Sequence, residues 1–415
     1  MRYIVTLILL ISISCGASFS VSPIINNDSR RVYLNYNTSD VITVTLTINN
    51  TYTLKTQKTG ITHMLEHTIF ITTKNFPTPF SLQEKLEREG IITTAATDYN
   101  IFQVQFQGQK ESLPIIIDAI NELSKNVIFD GKLIENEKKV IVKEARMQDA
   151  TNPLIHGIRM ASEKALEGKI YSIVGYESEI NDITVEELQA HYEELFSLPT
   201  SIDIIAPYTI LEIKELFSAN EIEDIITQRA ETTTNKISTG YETIRVTTNP
   251  KDDEFTLALL VFPYVSTTGN DLPAKLIGAS LGLGKRPLVG NNLYYRSVTV
   301  LRYGIEVIHL KDEAYMIIWA YLNGKEASKF ERVIDDLITD INNEMLDSDF
   351  LAAKANLISS VDALFAKWPI ITLPSMQYPL TKDEYKNTIS NLKRSDITFY
   401  PLKASIIIGA DQNEN

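Results

Sequence analysis

The sequence predicts an α+β protein built from two similar domains, each a mainly antiparallel sheet flanked by helices. A chain of 415 residues is too long for one small hydrophobic core and fits two domains of about 200 residues. Alternating strand patterns and helical apolar periodicities recur along both halves. The last strand pattern of each half, centred on Ile202 and Ser405, repeats after 203 residues. These observations together favour two copies of one α+β unit.

Composition narrows the class of protein. Apolar residues make up 44% of the chain and charged residues 22%, which are values typical of globular proteins. The 39 basic and 53 acidic side chains give a formal net charge of −14. Phosphate binding needs clustered Lys and Arg, so this balance argues against a nucleic-acid partner. The single cysteine, Cys15, excludes an intrachain disulfide.

Residues 1–20 have the pattern of a secretory signal peptide. Arg2 supplies a positive charge, the apolar run 4–13 follows it, and small residues come next. That run is too short to span a bilayer, and no later stretch is long and apolar enough to do so. We therefore expect an exported protein of the periplasm or cell envelope.

Cys15 leaves two forms of the mature protein open. It ends the apolar run in a sequence that resembles a bacterial lipobox, although Ser12 stands where Leu is usual. Lipidation of Cys15 would make an outer-membrane lipoprotein. Cleavage after Ala17 or Ser20 would instead release a soluble protein without cysteine.

The first domain is expected over 21–210. Apolar residues alternate with Thr over 42–48 and with Gln over 101–107, as in half-buried strands. The turn signal Asp98-Tyr99-Asn100 pairs the second of these strands with 93–97 as a hairpin. The remaining elements are helices at 113–125, 132–148, 153–167 and 185–196 and a closing strand at 201–205.

The second domain is expected over 238–415 and runs through similar elements. Its predicted strands are 255–261, 303–308, 314–322 and 403–408, and its predicted helices are 272–281, 327–345 and 349–363. The segment 211–237 is polar and rich in Glu and Thr, which favours a connection between domains.

The stretch His63-Met64-Leu65-Glu66-His67 indicates a metal site. On a helix, residues four apart project from one face, so one metal ion can bridge His63 and His67. Glu66 lies at the edge of the same face, where it can accept a proton from a water on the metal. The alternative is that His63 and His67 are surface histidines that bind no metal.

A second helix, over 132–148, offers a further ligand. At 100° per residue, Glu137 and Glu144 are about 20° apart and lie within an apolar stripe formed by Leu133, Ile134, Val140 and Ile141. Lys138, Lys139 and Lys143 are expected on the opposite side. A carboxylate facing a core is costly unless it is paired or binds metal.

These two motifs resemble the M16 metallopeptidases, the family of pitrilysin, insulin-degrading enzyme and the mitochondrial processing peptidase. That family has His-x-x-Glu-His followed, after 76 residues, by Glu, and Glu144 comes 76 intervening residues after His67. The resemblance implies Zn²⁺ as cofactor, with His63, His67 and Glu144 as ligands and Glu66 as general base. Glu137 matches the family's second acidic position, which supports the site from behind the ligands. Gly60, Tyr171 and Gly175 also match.

The resemblance implies a short, two-domain bacterial type whose domains face each other as a clamshell, the LuxS/MPP-like fold. It is strong over the first half of the chain and weak over the second. Substrate peptide would add as a strand along Thr94, Ala95, Ala96 and Thr97. Thr94 replaces the Asn usual in the family.

The second domain departs from the family pattern. Active members carry an Arg and a Tyr there that hold substrate near the metal. The alignment places Val298 at the Arg position and Tyr303 at the Tyr position, while Arg296 and Arg302 lie nearby. The resemblance therefore implies either a self-sufficient peptidase or the zinc-bearing partner of an M16 dimer whose other subunit supplies the Arg and Tyr.

The function that follows is a zinc-dependent endopeptidase acting on peptides or unfolded polypeptides. The first alternative is a non-catalytic subunit, although such subunits typically lose zinc ligands. The second is a lipid-anchored protein with a structural metal, although structural zinc is usually closed by four protein ligands. His156, His191 and His309 are interpreted as isolated histidines, and Trp319 and Trp368 as packing residues.

Overall fold

The computed structural model describes most of the chain between Val21 and Gly409. The described ranges are 21–26, 30–36, 38–49, 58–98, 101–151, 153–166, 172–198, 200–219, 244–247, 255–266, 272–282, 288–309, 313–344, 347–367 and 382–409. The predicted signal peptide with Cys15 lies outside these residues, as do Tyr171 and Trp368.

The first half folds around a six-stranded sheet. Its strands are β1 (Val21–Asn26), β2 (Arg30–Tyr36), β3 (Val41–Asn49), β4 (Ile92–Asp98), β5 (Ile101–Gln109) and β6 (Thr200–Ala206). The spatial order is β1-β2-β6-β3-β5-β4, and only the β2–β6 pair is parallel. The strand β4 therefore lies at an edge of the sheet.

Eight α-helices lie in the described part of the first half. They are α1 (Ile61–Thr68), α2 (Ser81–Arg88), α3 (Leu113–Lys125), α4 (Gly131–Thr151), α5 (Pro153–Ala165), α6 (Glu177–Asn181), α7 (Val185–Ser197) and α8 (Ile210–Ala219). Strict alternation puts Val44, Leu46, Val104 and Phe106 on one face of the sheet, where they are buried in a core with α1, α3 and α7.

The second half repeats this plan. Its strands are β7 (Ile244–Thr247), β8 (Phe255–Ser266), β9 (Val300–His309), β10 (Ala314–Asn323), β11 (Ile397–Phe399) and β12 (Ala404–Gly409). Its helices are α9 (Leu272–Gly282), α10 (Leu288–Tyr295), α11 (Ala327–Glu344), α12 (Asp347–Lys367) and α13 (Lys382–Asn391). The order β7-β12-β8-β10-β9 reproduces β2-β6-β3-β5-β4, including the single parallel pair.

The duplicated order confirms the predicted α+β architecture of two similar, mainly antiparallel units. The second core is formed by residues such as Phe262, Ile318 and Phe330, and it is separate from the first. No helix in the described ranges is both long and apolar enough to cross a membrane.

The structure differs from the predicted connection 211–237 at the beginning of that segment. Its first residues belong to α8, whose Ile213 and Phe217 are buried in the first core. The segment 211–237 as a whole is rich in Glu and Thr, which suggests a linker, yet burial of Ile213 and Phe217 on one side stabilises a helix at its beginning. Residues 220–237 lie outside the described part.

Candidate metal centre

The helix α1 is fixed in rotation by its apolar residues. Ile61, Met64 and Leu65 recur at helical spacing and are fully buried in the first core. The helix starts at Gly60, whose φ of +77° is a left-handed conformation that favours glycine. With that face buried, His63 and His67 project from α1 towards α4, which packs against it.

His63, His67 and Glu144 form a set of three ligand atoms. The atoms they offer all lie within 4.8 Å of one another. The Nε2 atoms of His63 and His67 are 3.9 and 3.5 Å from Oε2 of Glu144. In a tetrahedral site with bonds near 2.1 Å, ligand atoms are about 3.4 Å apart. The donor set therefore fits a zinc ion with small adjustments.

Glu137 lies behind His67. Its Oε2 is 3.3 Å from Nδ1 of His67, which donates to it and so leaves Nε2 directed at Glu144. This contact fixes the tautomer and the ring plane of a metal-ligating histidine. Burial lowers the pKa of His67, but the hydrogen bond to Glu137 and the charge of Glu144 outweigh it, so the net pKa is raised.

The imidazole of His63 is held in the form that binds metal. Burial lowers its pKa, the charge of His67 lowers it further, and Glu144 and the carbonyl of Val174 offset only part of this. A lowered pKa favours the neutral imidazole, which is the form that can bind a metal ion. The two rings meet edge to face, with centroids 4.7 Å apart.

Glu66 stands beside the three ligand residues without belonging to the set. Its carboxyl group is half-buried, and burial raises its pKa; Thr97 and His67 lower it and Glu144 raises it, leaving the pKa above its ordinary value. A carboxylate with a raised pKa is suited to accept and return a proton.

The predicted substrate-binding run Thr94–Thr97 lies on β4, which packs against α1. Thr94 and Ala96 are exposed, whereas Ala95 and Thr97 are half-buried on the opposite face. One side of β4 pairs with β5, and among the described strands none pairs with its other side. Thr97 lies close enough to Glu66 to lower the pKa of its carboxyl group.

The prediction that Glu137 and Glu144 lie in the middle of an apolar stripe on α4 is wrong. The buried residues are Ile134, Lys138, Ile141, Val142 and Ala145, whereas Val140 is exposed. Lys138 is buried because its Nζ donates to the carbonyl of Asn181 at 3.0 Å and to Glu135 at 2.5 Å, which satisfies the ammonium group. Glu137 and Glu144 therefore lie at the edge of the stripe, half-buried, rather than in its middle.

The second-domain candidates lie on or near β9. Tyr303 is half-buried against the second core, near the backbone of Gly290, and burial raises its pKa. Val298 is buried in the same core. Arg296 pairs with Asp336, and Arg302 is exposed with its guanidinium 6.0 Å from the ring of Trp319. The role of Tyr303 stays a prediction.

The sequence interpretation missed the surroundings of α1. His191, interpreted as isolated, is buried and has its Nε2 2.9 Å from the hydroxyl of Thr62. The turn 172–176 also packs against the start of α1. These contacts join residues more than 100 positions apart, and no local spacing signals them. His156 and His309 lie in α5 and β9.

The comparisons with known proteins point to one family. The family model "Insulinase (Peptidase family M16)" matches residues 31–171. The beta subunit of the mitochondrial-processing peptidase of Dictyostelium discoideum is 28% identical over 141 residues, which are 33% of this chain and 30% of that protein. The match therefore spans less than a third of that relative.

Solved structures extend the likeness to nearly the whole chain. A protease from Helicobacter pylori has a TM-score of 0.70 at 15% identity, covering 94% of this chain and 99% of that one. A putative M16-like peptidase from Alicyclobacillus acidocaldarius has a TM-score of 0.66 at 12% identity, covering 95% and 99%. At these identities the likeness concerns the fold, and it confirms the predicted clamshell class. Residues 31–171 thus match the model of peptidase family M16, and the chain as a whole has the fold of M16-like structures.

Proposed function

We propose that the chain is a zinc-dependent endopeptidase that cleaves peptides or unfolded polypeptides. The observation that carries the proposal is the meeting of His63, His67 and Glu144 from two helices, with Glu66 beside them and outside the ligand set. Three protein ligands leave a fourth position for water or substrate, which is the arrangement of catalytic rather than structural zinc. The alternative of a closed structural site has no fourth ligand residue in the described group.

Each residue has a defined task in this mechanism. His63, His67 and Glu144 would hold the ion, and Glu137 orients His67 through its Nδ1. Zinc, when bound, supplies Lewis acidity for the attack of water on the scissile carbonyl. Glu66 takes a proton from the attacking water and passes it to the leaving amine.

The free edge of β4 suits an extended peptide. Backbone groups of a substrate strand can pair with that edge, which gives affinity without a strict sequence requirement. Such pairing would bring the scissile bond past Thr97 and towards Glu66. Most backbone groups of a folded protein are already paired, so unfolded segments are the expected substrates.

The test is cleavage of an unstructured peptide pool, followed by mass spectrometry, with zinc-loaded protein from Val21 onward. The matched control is Glu66→Gln, which leaves the ligand set intact. Cleavage that is lost in the control while zinc is retained supports the proposal. Absence of bound zinc in the wild type contradicts it.

A partner-dependent form is the second candidate, because Val298 occupies the position at which the family pattern has Arg. Val298 is buried, and Arg296 is already paired with Asp336. A second M16 subunit, in a hetero- or homodimer, would then supply the missing cation. Zinc-loaded protein that cleaves only after a partner subunit is added would favour this form; equal activity with and without the partner would exclude it.

Export to the periplasm or cell envelope, with or without a lipid on Cys15, remains part of the proposal. Mass spectrometry of the protein isolated from its source would identify the mature amino terminus. A first residue of Cys15 carrying acyl chains indicates a lipoprotein. A first residue at Ser18 or Val21 indicates ordinary signal cleavage.

A further inference from the structure

The helix α5 belongs by sequence to the first half but packs on the sheet of the second. Ile158, Ala161 and Ala165 are buried in a third apolar cluster, separate from the two domain cores. The same cluster contains Leu257 and Leu259 of β8, Ile317 and Trp319 of β10, and Ile406 of β12. A Cβ added to Gly157 would lie 3.1 Å from Leu257 Cδ2, which shows how closely the helix approaches β8.

Polar side chains of α5 hold a turn of the first half. Nη1 of Arg159 donates to Oγ of Ser172 at 2.8 Å, and the backbone N–H of Gly175 donates to the same Oγ at 3.1 Å. The hydroxyl of Tyr176 donates to the carboxylate of Glu163. Ser172 is buried, so its two bonds are shielded from water. The turn 172–176 is therefore attached to α5.

The same turn packs against the start of α1. The backbone of Gly175 touches that of Gly60, and the N–H of Tyr176 donates to Oγ1 of Thr59 at 3.1 Å. An unbroken series of contacts thus runs from the second sheet, through α5 and the turn, to the start of α1, the helix that carries His63.

We propose that α5 couples the second sheet to the metal centre, so that the packing of β8 against α5 sets the zinc affinity of the site. This inference rests on the proposed metal function, and it adds a means of regulation: a ligand or partner that shifts the second sheet would change how firmly His63 is held. Close-packed contacts transmit such shifts because they leave no free volume to absorb them. Arg159 and Ser172 are positioning residues in this scheme.

The first test uses two neighbouring leucines of β8 that face opposite ways. Leu259 is buried in the cluster with α5, and Leu260 is buried in the second domain's own core. Leu259→Ala and Leu260→Ala remove the same atoms from the same strand. Hydrogen exchange of the metal-free protein and zinc titration against a chromophoric chelator are the readouts. Neither readout depends on catalysis.

We expect Leu259→Ala to speed amide exchange in residues 59–65 and 172–176 and to raise the zinc dissociation constant about tenfold, within the range found when groups behind metal ligands are lost. We expect Leu260→Ala to leave both unchanged while lowering the stability of the second domain. Equal effects of the two variants, or no effect of Leu259→Ala, would overturn the coupling.

The second test removes a hydrogen bond between α5 and the turn 172–176 and leaves β8 unchanged. Arg159→Met keeps the aliphatic stem and removes the bond to Ser172, and Lys164→Met is its exposed control on the same helix. Faster exchange in 172–176 and weaker zinc binding in Arg159→Met alone support the coupling. Unchanged exchange in Arg159→Met contradicts it. A wild type that binds no zinc would defeat the proposed function, whereas the exchange measurements would still decide the coupling.

Discussion

Gly60 and Gly175 lie with their backbones in contact. A Cβ on Gly60 would be 2.9 Å from Cα of Gly175 and 2.6 Å from the carbonyl oxygen of Val174, and a Cβ on Gly175 would be 2.8 Å from Cα of Gly60. Both residues have positive φ, +77° and +94°. Two glycines are needed here because any side chain would push the turn 172–176 away from the start of α1.

Substitution of Gly60 by Ala tests this contact. We expect the positive φ and the clash with backbone atoms together to lower the melting temperature and to weaken zinc binding, since the clash displaces the first turn of α1. Gly90→Ala is the control, because Gly90 has a φ of +71° and nothing within 4 Å of its added Cβ. Strain at φ alone costs about 1 kcal/mol. Equal melting temperatures of the two variants would contradict the role of the contact.

Removal of Glu137 should weaken metal binding without removing a ligand. In Glu137→Ala, His67 loses the acceptor of its Nδ1–H, so its ring is free to rotate and its Nε2 is less basic. We expect a 10- to 100-fold rise in the zinc dissociation constant, in keeping with the usual effect of such partners. The exposed Asn136 on the same helix provides the control, Asn136→Ala. Competition titration with a chelator measures both, and similar constants would refute the assignment.

Asp203 should make the stability fall as the pH rises. It lies buried on β6 with Oγ of Ser201 3.4 Å from Oδ2, and burial raises its pKa from 3.8 to about 7. The folded state therefore keeps the proton between these values while the unfolded chain loses it, so the contribution of Asp203 is present below about pH 4 and is lost as the pH approaches 7.

Asp203→Asn removes that titration with little change in shape. Compared with wild type, we expect its free energy of unfolding to be higher at pH 8 and similar at pH 4.5, as measured by urea denaturation at both values. A difference between variant and wild type that is the same at the two pH values would argue against a buried, protonated Asp203.

Glu122 should stabilise the loop that follows α1. Its carboxylate accepts hydrogen bonds from Oγ1 of Thr73 at 2.6 Å, from N and Nδ2 of Asn75 at 2.9 and 2.7 Å, and from Nδ2 of Asn126 at 2.8 Å. Burial raises its pKa, but these donors outweigh that effect and lower it. Its contribution is therefore present above the ordinary pKa of a Glu and is lost on acidification.

Glu122→Gln presents an amide donor to groups that are themselves donors. We expect a loss of about 1–3 kcal/mol in the free energy of unfolding at neutral pH, the usual cost of a buried group left unsatisfied. The difference should shrink towards pH 3, where the wild-type carboxylate is protonated. A pH-independent difference would show that the charge of Glu122 is not what binds the loop.

Local patterns predicted most of the elements of the two sheets. Alternation of Thr or Gln with apolar residues sets β3 and β5, and the structure extends the predicted ranges by one or two residues at most ends. The strands β1 and β2 were not predicted, because Val32, Tyr33 and Leu34 form a short buried run without alternation. The place of β2 in the sheet depends on pairing with β6, which is more than 160 residues away, and β1 pairs in turn with β2.

The ligand set could be predicted because each helix carries its own part of it. His63 and His67 share a helix face by spacing alone, and the resemblance supplied Glu144. The turn at Gly175, the contact of Thr62 with His191 and the packing of α5 on the second sheet arise only after folding. Hydrogen bonds between residues that are far apart in the sequence produce no periodic pattern. The contacts that hold the site in place are therefore visible only in the structure.

The duplicated strand order has a consequence for the order in which the protein matures. In the second unit α9 follows β8 and packs against α12 and β9, as α1 follows β3 and packs against α4 and β4. Yet α9 reads LPAKLIGASLG and contains no His, Cys, Asp or Glu. A unit with this fold can therefore be stable without a metal ion, because its apolar core stabilises it. If the proposed zinc site is correct, the first unit can therefore fold before the ion binds, and zinc would enter a site that folding has already formed.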